Sequence, residues 1–245
     1  MSPAEILACE RRAFRAWPAL ESRASHGWVE RFSGGYTKRA NSINALAPDG
    51  ELTTDLKNEL EMPYRQRRMP PVWRLTRLAP PGTDSLLAEA GYRLIDPSLV
   101  QQATIDSRFA LDPEVRIDPV PSPAWLAGFA ALSPVAPEHR KTMARMLRSI
   151  AAPVAFATVE DAGQPIAFAL GVVEGDHVGL FDVLVAPQAR RRGLARRLTQ
   201  SIGAWGHAQG ARFAYLQVVA TNAAALPLYA DLGFHTVYTY AYRVP

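Results

Sequence analysis

Apolar and polar positions along this chain fall into two successive sets of strand-like and helix-like runs, the second more sharply patterned than the first. Val178-Gly-Leu-Phe-Asp-Val-Leu-Val185 is an apolar run of strand length. A basic turn, Ala186 to Ala195, follows it. Leu194, Leu198, Ile202 and Trp205 then recur at helical spacing up to about Ala208, which predicts a helix laying that stripe on a sheet. Phe213-Ala-Tyr-Leu-Gln-Val-Val219 reads as the next strand. Asn222 reads as the N-cap of a helix over Ala223 to Leu232, stopped by Gly233. Upstream, Ala155–Glu160 and Pro165–Glu174 read as strands joined by the hairpin signal Asp161-Ala-Gly-Gln-Pro165, and Gly175-Asp-His177 turns into the central strand.

The first half is less regular. Pro3 to Trp17 alternates Ile6, Leu7, Phe14 and Trp17 with charged residues at helical period. Trp28 to Tyr36 reads as a strand ending in a bend, Leu52–Gln66 as a helix and Val72–Leu78 as a strand. Thr83–Ala90 reads as a short helix stopped by Gly91, and Tyr92–Ile105 as one or two strands. The polar segment Thr37-Lys-Arg-Ala-Asn-Ser42 reads as a loop or as a pocket wall that touches substrate. Ser107 to Pro123 is rich in proline and charge, which suggests a domain boundary, with domains at 1–110 and 111–245. Beyond it, Ala124–Leu132 and Glu138–Ile150 read as helices broken by Pro134 and Pro137.

The halves echo each other. Laying Gly91-Tyr92 on Gly233-Phe234 brings Leu86–Ala90 onto Leu228–Leu232 and Trp73–Leu78 onto Tyr215–Ala220. In that overlay Leu87 stands at Tyr229 and Pro80 at Asn222, while Asp49–Thr53 replaces the basic turn. The first half is therefore expected to be an abbreviated copy that binds no cofactor and does no chemistry, but packs on the second half and walls a substrate cleft.

The basic turn carries the chemistry. Arg190-x-x-Gly193-x-Ala195 sits where a strand ends and a helix begins, and a helix head offers unpaired amides and partial positive charge to an anion. Gly193 and Ala195 leave the approach open. Arg190, Arg191, Arg192, Arg196 and Arg197 cluster there, with geometry suited to phosphate oxygens. Taken alone, such a cluster also reads as a solvated helix face or a nucleic-acid patch.

Arg190-x-x-Gly193-x-Ala195 resembles the R/Q-x-x-G-x-G/A signature of the GNAT acyltransferase superfamily. Asn222 and Leu228-Tyr229-x-x-x-Gly233-Phe234 resemble that family's following segments, in order and at similar spacing. The resemblance covers about Pro119 to Pro245. It implies a GNAT fold, an α/β mixed central sheet flanked by helices, with a second abbreviated GNAT-like half at the N-terminus. It implies acetyl-CoA or a related acyl-CoA as co-substrate. The main chain of Val183, Leu184 and Val185 is expected to pair with its pantetheine arm. The amides of Arg191, Arg192, Gly193, Leu194 and Ala195 would hold its pyrophosphate, with Arg190 and its neighbours on the outer phosphates. By the same resemblance Tyr229 is the general acid toward the departing sulfur, and Asn222 orients the cofactor or that acid. Many relatives carry a glutamate base on the strand before Asn222. Here Gln217 stands at that place, and Asp182, Glu174 and His177 are the other candidates, beside direct attack by an amine already deprotonated.

Composition narrows the setting. At 245 residues, 48% hydrophobic and 20% charged, the chain can bury one large core or two small ones. Cys9 is its only cysteine, so no internal disulfide forms, which fits a cytoplasmic location. No apolar run reaches transmembrane length, and Met1-Ser-Pro-Ala-Glu lacks the features of a secretory signal. A formal charge of +4 and an isoelectric point of about 9.4 suit an anionic cofactor, and no nucleic-acid recognition motif or metal-ligand pattern accompanies them. The expected function is transfer of an acetyl group to a primary amine of a small molecule or amino acid, by a monomer or homodimer. The alternatives are a protein or peptide acetyltransferase and a non-catalytic acyl-CoA-binding module.

Overall fold

A computed structural model describes residues 1–133 and 135–245; Pro134, one of the two expected helix breaks, lies outside them. The chain divides into two compact units. The first holds Met1–Val100, Val219–Thr221 and Val237–Pro245, and the second holds Gln101–Val218 and Asn222–Thr236.

The first unit begins with α1 (Pro3–Ala16), whose Ser2 and Glu5 form a reciprocal capping box. Strands β1 (Glu21–Ser25), β2 (Trp28–Phe32) and β3 (Ile43–Ala45) run antiparallel in turn. Helix α2 (Thr54–Gln66) crosses over to β4 (Trp73–Leu75), which lies parallel to β3. Helix α3 (Thr83–Glu89) leads into β5 (Arg93–Thr104), which starts in the first unit and ends in the second. Strand β1 carries no apolar alternation, so the sequence pattern did not reveal it; the Trp28-to-Tyr36 strand ends at Phe32, where the bend begins. The segment Thr37–Ser42 is tied down by Asn41, whose amide donates to Tyr36 O at 2.6 Å and Thr37 O at 2.8 Å and accepts from Ser33 N at 2.7 Å. Aromatic rings fill the core, with Trp28 edge-on to Trp73 at 5.2 Å.

The second unit contains β6 (Val115–Asp118), α4 (Pro123–Leu132), α5 (Arg140–Arg148), β7 (Val154–Asp161), β8 (Gln164–Glu174), β9 (His177–Val185), α6 (Leu194–Ala208), β10 (Phe213–Val219, all but its last residue) and α7 (Leu226–Asp231). Strand β11 (His235–Val244) starts in this unit and ends in the first, where Ala241 pairs antiparallel with Leu75 of β4. Strands β6 to β9 are antiparallel neighbours, and β10 is parallel to β9. Ala162 (φ 49°) and Gly163 (φ 75°) make the tight β7–β8 turn, as a right-twisted hairpin requires. The proline-rich stretch expected to mark a domain boundary contains β6, with Val115 opposite Val159 of β7. Pro113 and Pro119 flank it, as prolines do at a sheet edge. The helix expected over Glu138–Ile150 is confined to Arg140–Arg148, after a 3-10 turn at Pro137–His139.

The two units repeat one plan: antiparallel strands, a crossover helix, a parallel strand, a short helix and a glycine stop. Gly91 (φ 85°) and Gly233 (φ 84°) end α3 and α7 in the same way. Tyr92 N reaches Leu87 O at 2.9 Å, and Phe234 N reaches Tyr229 O at 2.9 Å. Leu194, Leu198 and Ile202 of α6 are buried as expected, while Trp205 is half-buried. No helix among the described residues is long and apolar enough to cross a membrane.

Candidate functional site

The site is built where β9 leaves β10. Their parallel ladder runs from His177↔Phe213 to Leu180↔Leu216 and ends there. Just beyond, the β8–β9 register slips: Leu170 faces Phe181 and Phe168 faces Leu184. Asp182 and Val183 share the space opposite Ala169, and Asp182 takes a left-handed φ of 49°. An extra residue of this kind bends its strand. Past the bulge, Leu184 and Val185 pair with β8 on one side only, and the other edge opens into a cleft of about 490 Å³.

The chain then turns through a 3-10 segment at Pro187–Ala189 into α6. Arg191 (φ 64°) and Gly193 (φ 77°) both adopt left-handed angles. Among the described residues no side chain caps α6, and a Cβ built at Gly193 meets no atom within 4 Å. Arg197 N bonds back to Gly193 O at 3.1 Å; by helix register the preceding amides at Gly193, Leu194, Ala195 and Arg196 have no intrahelical carbonyl to reach. The corresponding helix of the first unit is closed, since Thr53 Oγ1 caps α2 by accepting from Leu56 N at 3.2 Å.

Val183, Leu184, Val185, Arg190, Arg191, Gly193, Leu194, Ala195, Asn222 and Tyr229 all line this one cleft. Arg192 does not: its guanidinium is engaged by Asp161 at 2.8 Å. The arginine cluster is divided by its partners. Arg197 is committed to Asp112 and Glu114, and Arg196, though it lines the cleft, also holds Asp231 at 2.8 Å. Arg190 and Arg191 therefore carry most of the charge turned to the cleft, fewer than the sequence cluster suggests.

Asn222 caps a turn rather than a long helix. Its Oδ1 accepts from Ala225 N at 3.1 Å, and α7 begins only at Leu226, with Pro227 in its first turn. Tyr229 follows on α7, 8% exposed, edge-on to Phe234 at 5.7 Å. Burial pushes its phenol up to about 12. The expected base candidates are scattered. Glu174 pairs with His177 at the hairpin end of β9, about 20 Å of strand away from Val183. Asp182 and Gln217 are not among the residues lining the cleft. Sequence reasoning missed the bulge, because a left-handed aspartate leaves no compositional trace.

A family model described as "Probable histone acetyltransferase Rv0428c C-terminal" matches residues 3–243. Over 251 residues the chain is 28% identical to a Bacillus subtilis (strain 168) protein named "Uncharacterized N-acetyltransferase YobR", covering 98% of each. A GCN5-related N-acetyltransferase from Kribbella flavida superposes with a TM-score of 0.67 at 16% identity, over 99% of this chain and 95% of that one. A tandem GNAT protein from the clavulanic acid biosynthesis pathway superposes with a TM-score of 0.63 at 11% identity, over 96% and 86%. At these identities the two structures establish likeness of fold.

Proposed function

Since the chain belongs to the GNAT N-acetyltransferases, through the family described as "Probable histone acetyltransferase Rv0428c C-terminal", we propose that it moves an acetyl group from acetyl-CoA to a primary amine of a small molecule or amino acid. One observation carries this reading: the unpaired edge at Val183–Val185 runs directly into the uncapped head of α6, within one cleft. The edge suits the amides of a pantetheine arm, as an added strand would. The helix head, with Arg190 and Arg191, suits a diphosphate. The residues present therefore fit an acyl-CoA.

The amine attacks the thioester carbonyl, and the sulfur that leaves needs a proton. Tyr229 lines the cleft, and its phenol, pushed higher still by burial, is protonated at neutral pH, so it is our proton donor. Asn222 supports the turn that presents α7. We assign this chemistry to residues 111–245 and read 1–110 as the degenerate copy, where Leu87 is a buried core residue in place of Tyr229. A protein amine is the second reading, favoured by the family description's mention of histones.

Thermal stabilisation by acetyl-CoA, against single-stranded DNA as the contrasting anion, tests the cleft. Thiol release across a panel of small amines and peptides tests the acceptor. Stabilisation by DNA alone would defeat the acyl-CoA reading, and release with peptides only would favour the second acceptor class.

A further inference from the structure

The cleft is lined by Arg190, Arg191, Arg196, Tyr229 and Asn222, with small or aliphatic residues elsewhere. None of these groups takes up a proton near neutral pH. Guanidinium stays charged, the amide is not basic, and the phenol already holds its proton. Carboxylates on the surrounding elements are otherwise placed. Asp231 on α7 holds Arg196 at 2.8 Å, Asp161 at the end of β7 holds Arg192, and Asp112 with Glu114 holds Arg197. On β9, Asp182 lies in the bulge outside the lining set, and His177, with its hairpin partner Glu174 of β8, occupies the far end. On β10, Gln217 follows the last pair of the β9 ladder and offers an amide.

We propose that the acceptor is a weakly basic primary amine of the α-amino kind, which enters the cleft already neutral and is acetylated without a base from the protein. This rests on the reading of the cleft as an acetyl-CoA site. An α-amino group titrates near 7.7–8.0 and a lysine ε-amino group near 10.4. At a pH of about 7.5, roughly a third of the former and about a thousandth of the latter is neutral, a gap of about 10²-fold. Arg190 and Arg191 oppose an ammonium entering beside them, so the neutral amine is the species that binds. The protons balance without a base. The nitrogen lone pair forms the C–N bond as the C–S bond breaks, sulfur takes the proton of Tyr229, the nitrogen sheds its proton to solvent water, and the tyrosine oxygen regains one from solvent. Amide and thiol are the only products.

The test is kcat/KM for thiol release by the full chain with acetyl-CoA, from about pH 6 to 11, using glycinamide, an alanyl peptide and Nα-acetyl-lysine amide. Each acceptor should show its inflection at its own amine pKa, with the α-amines ahead by about 10²-fold near pH 7.5. The same acceptor-tracking inflections should persist in Asp182→Asn. Gln217→Glu should add a lower inflection common to all acceptors. An inflection shared by all acceptors in the unaltered chain, or faster release with the ε-amine, overturns the proposal while leaving acetyl transfer standing. Stabilisation by acetyl-CoA without thiol release to any amine overturns the acetyl-transfer reading and this inference with it.

Discussion

Arg197 grips Asp112 with two parallel hydrogen bonds, Nε to Oδ2 at 2.6 Å and Nη2 to Oδ1 at 2.8 Å, and reaches Glu114 at 2.5 Å with the same Nη2. An arginine from the cluster expected to face phosphate thus fastens the segment before β6 to α6. Arg197→Ala should lower stability by about 1 kcal/mol, because the pair is partly solvated. Acetyl-CoA affinity should not change. The guanidinium holds the Asp112 carboxyl below the usual carboxylate range, so its stabilising effect is complete above that range and is lost as pH falls through the depressed value. Melting curves of the two proteins should differ at pH 7 and begin to converge only as pH falls below about 4. A constant difference down to pH 2 would contradict this.

Gly193 separates the cost to the fold from the cost to the ligand. Its φ of 77° disfavours any side chain, yet a Cβ there meets no protein atom within 4 Å. Gly193→Ala should therefore cost about 1 kcal/mol of backbone strain. Gly193→Asp should in addition abolish acetyl-CoA binding, by placing bulk and negative charge where the diphosphate is proposed to lie. Titration calorimetry with acetyl-CoA would show it, and an unchanged affinity would remove the head of α6 as the phosphate cradle.

Much of this arrangement was legible in the chain, for physical reasons that also explain the rest. β9, α6, β10 and α7 were readable because Leu194, Leu198 and Ile202 follow a helical period between two apolar runs. The repeat was readable from glycines that must turn left-handed after α3 and α7. The bulge at Asp182 was not, since aspartate tolerates such angles without demanding them. The sorting of the arginines was not either, because Asp112 lies 85 residues from Arg197 along the chain. Strand β6 was masked by its own protective prolines.

Glu10 and Arg74 form a buried ion pair in the first unit, 2% and 3% exposed. Tyr238 donates its hydroxyl to Glu10 at 2.5 Å, and the Arg74 guanidinium lies 3.7 Å above the Tyr240 ring. Glu10→Ala leaves a buried guanidinium without its carboxylate, which should cost about 3–5 kcal/mol. Glu10→Leu combined with Arg74→Met should recover much of that loss. Urea unfolding followed by tryptophan fluorescence checks both; a double variant no better than the single one would show that the network matters beyond charge pairing.

Tyr229 offers the sharpest separation of binding from chemistry. No hydrogen bond from its hydroxyl is made among the described residues, so Tyr229→Phe should leave the melting temperature and acetyl-CoA affinity close to those of the unaltered chain. Loss of a positioned general acid should lower kcat by about 10²-fold or more. Burial pushes the phenol up to about 12, so the donor stays protonated through the neutral and mildly alkaline range. With an acceptor already neutral, kcat should stay level to about pH 11 and fall only as the phenol ionises. A fall centred near pH 10, where an exposed phenol titrates, would mean that burial does not hold the proton, and equal turnover in the phenylalanine variant would remove Tyr229 as the donor.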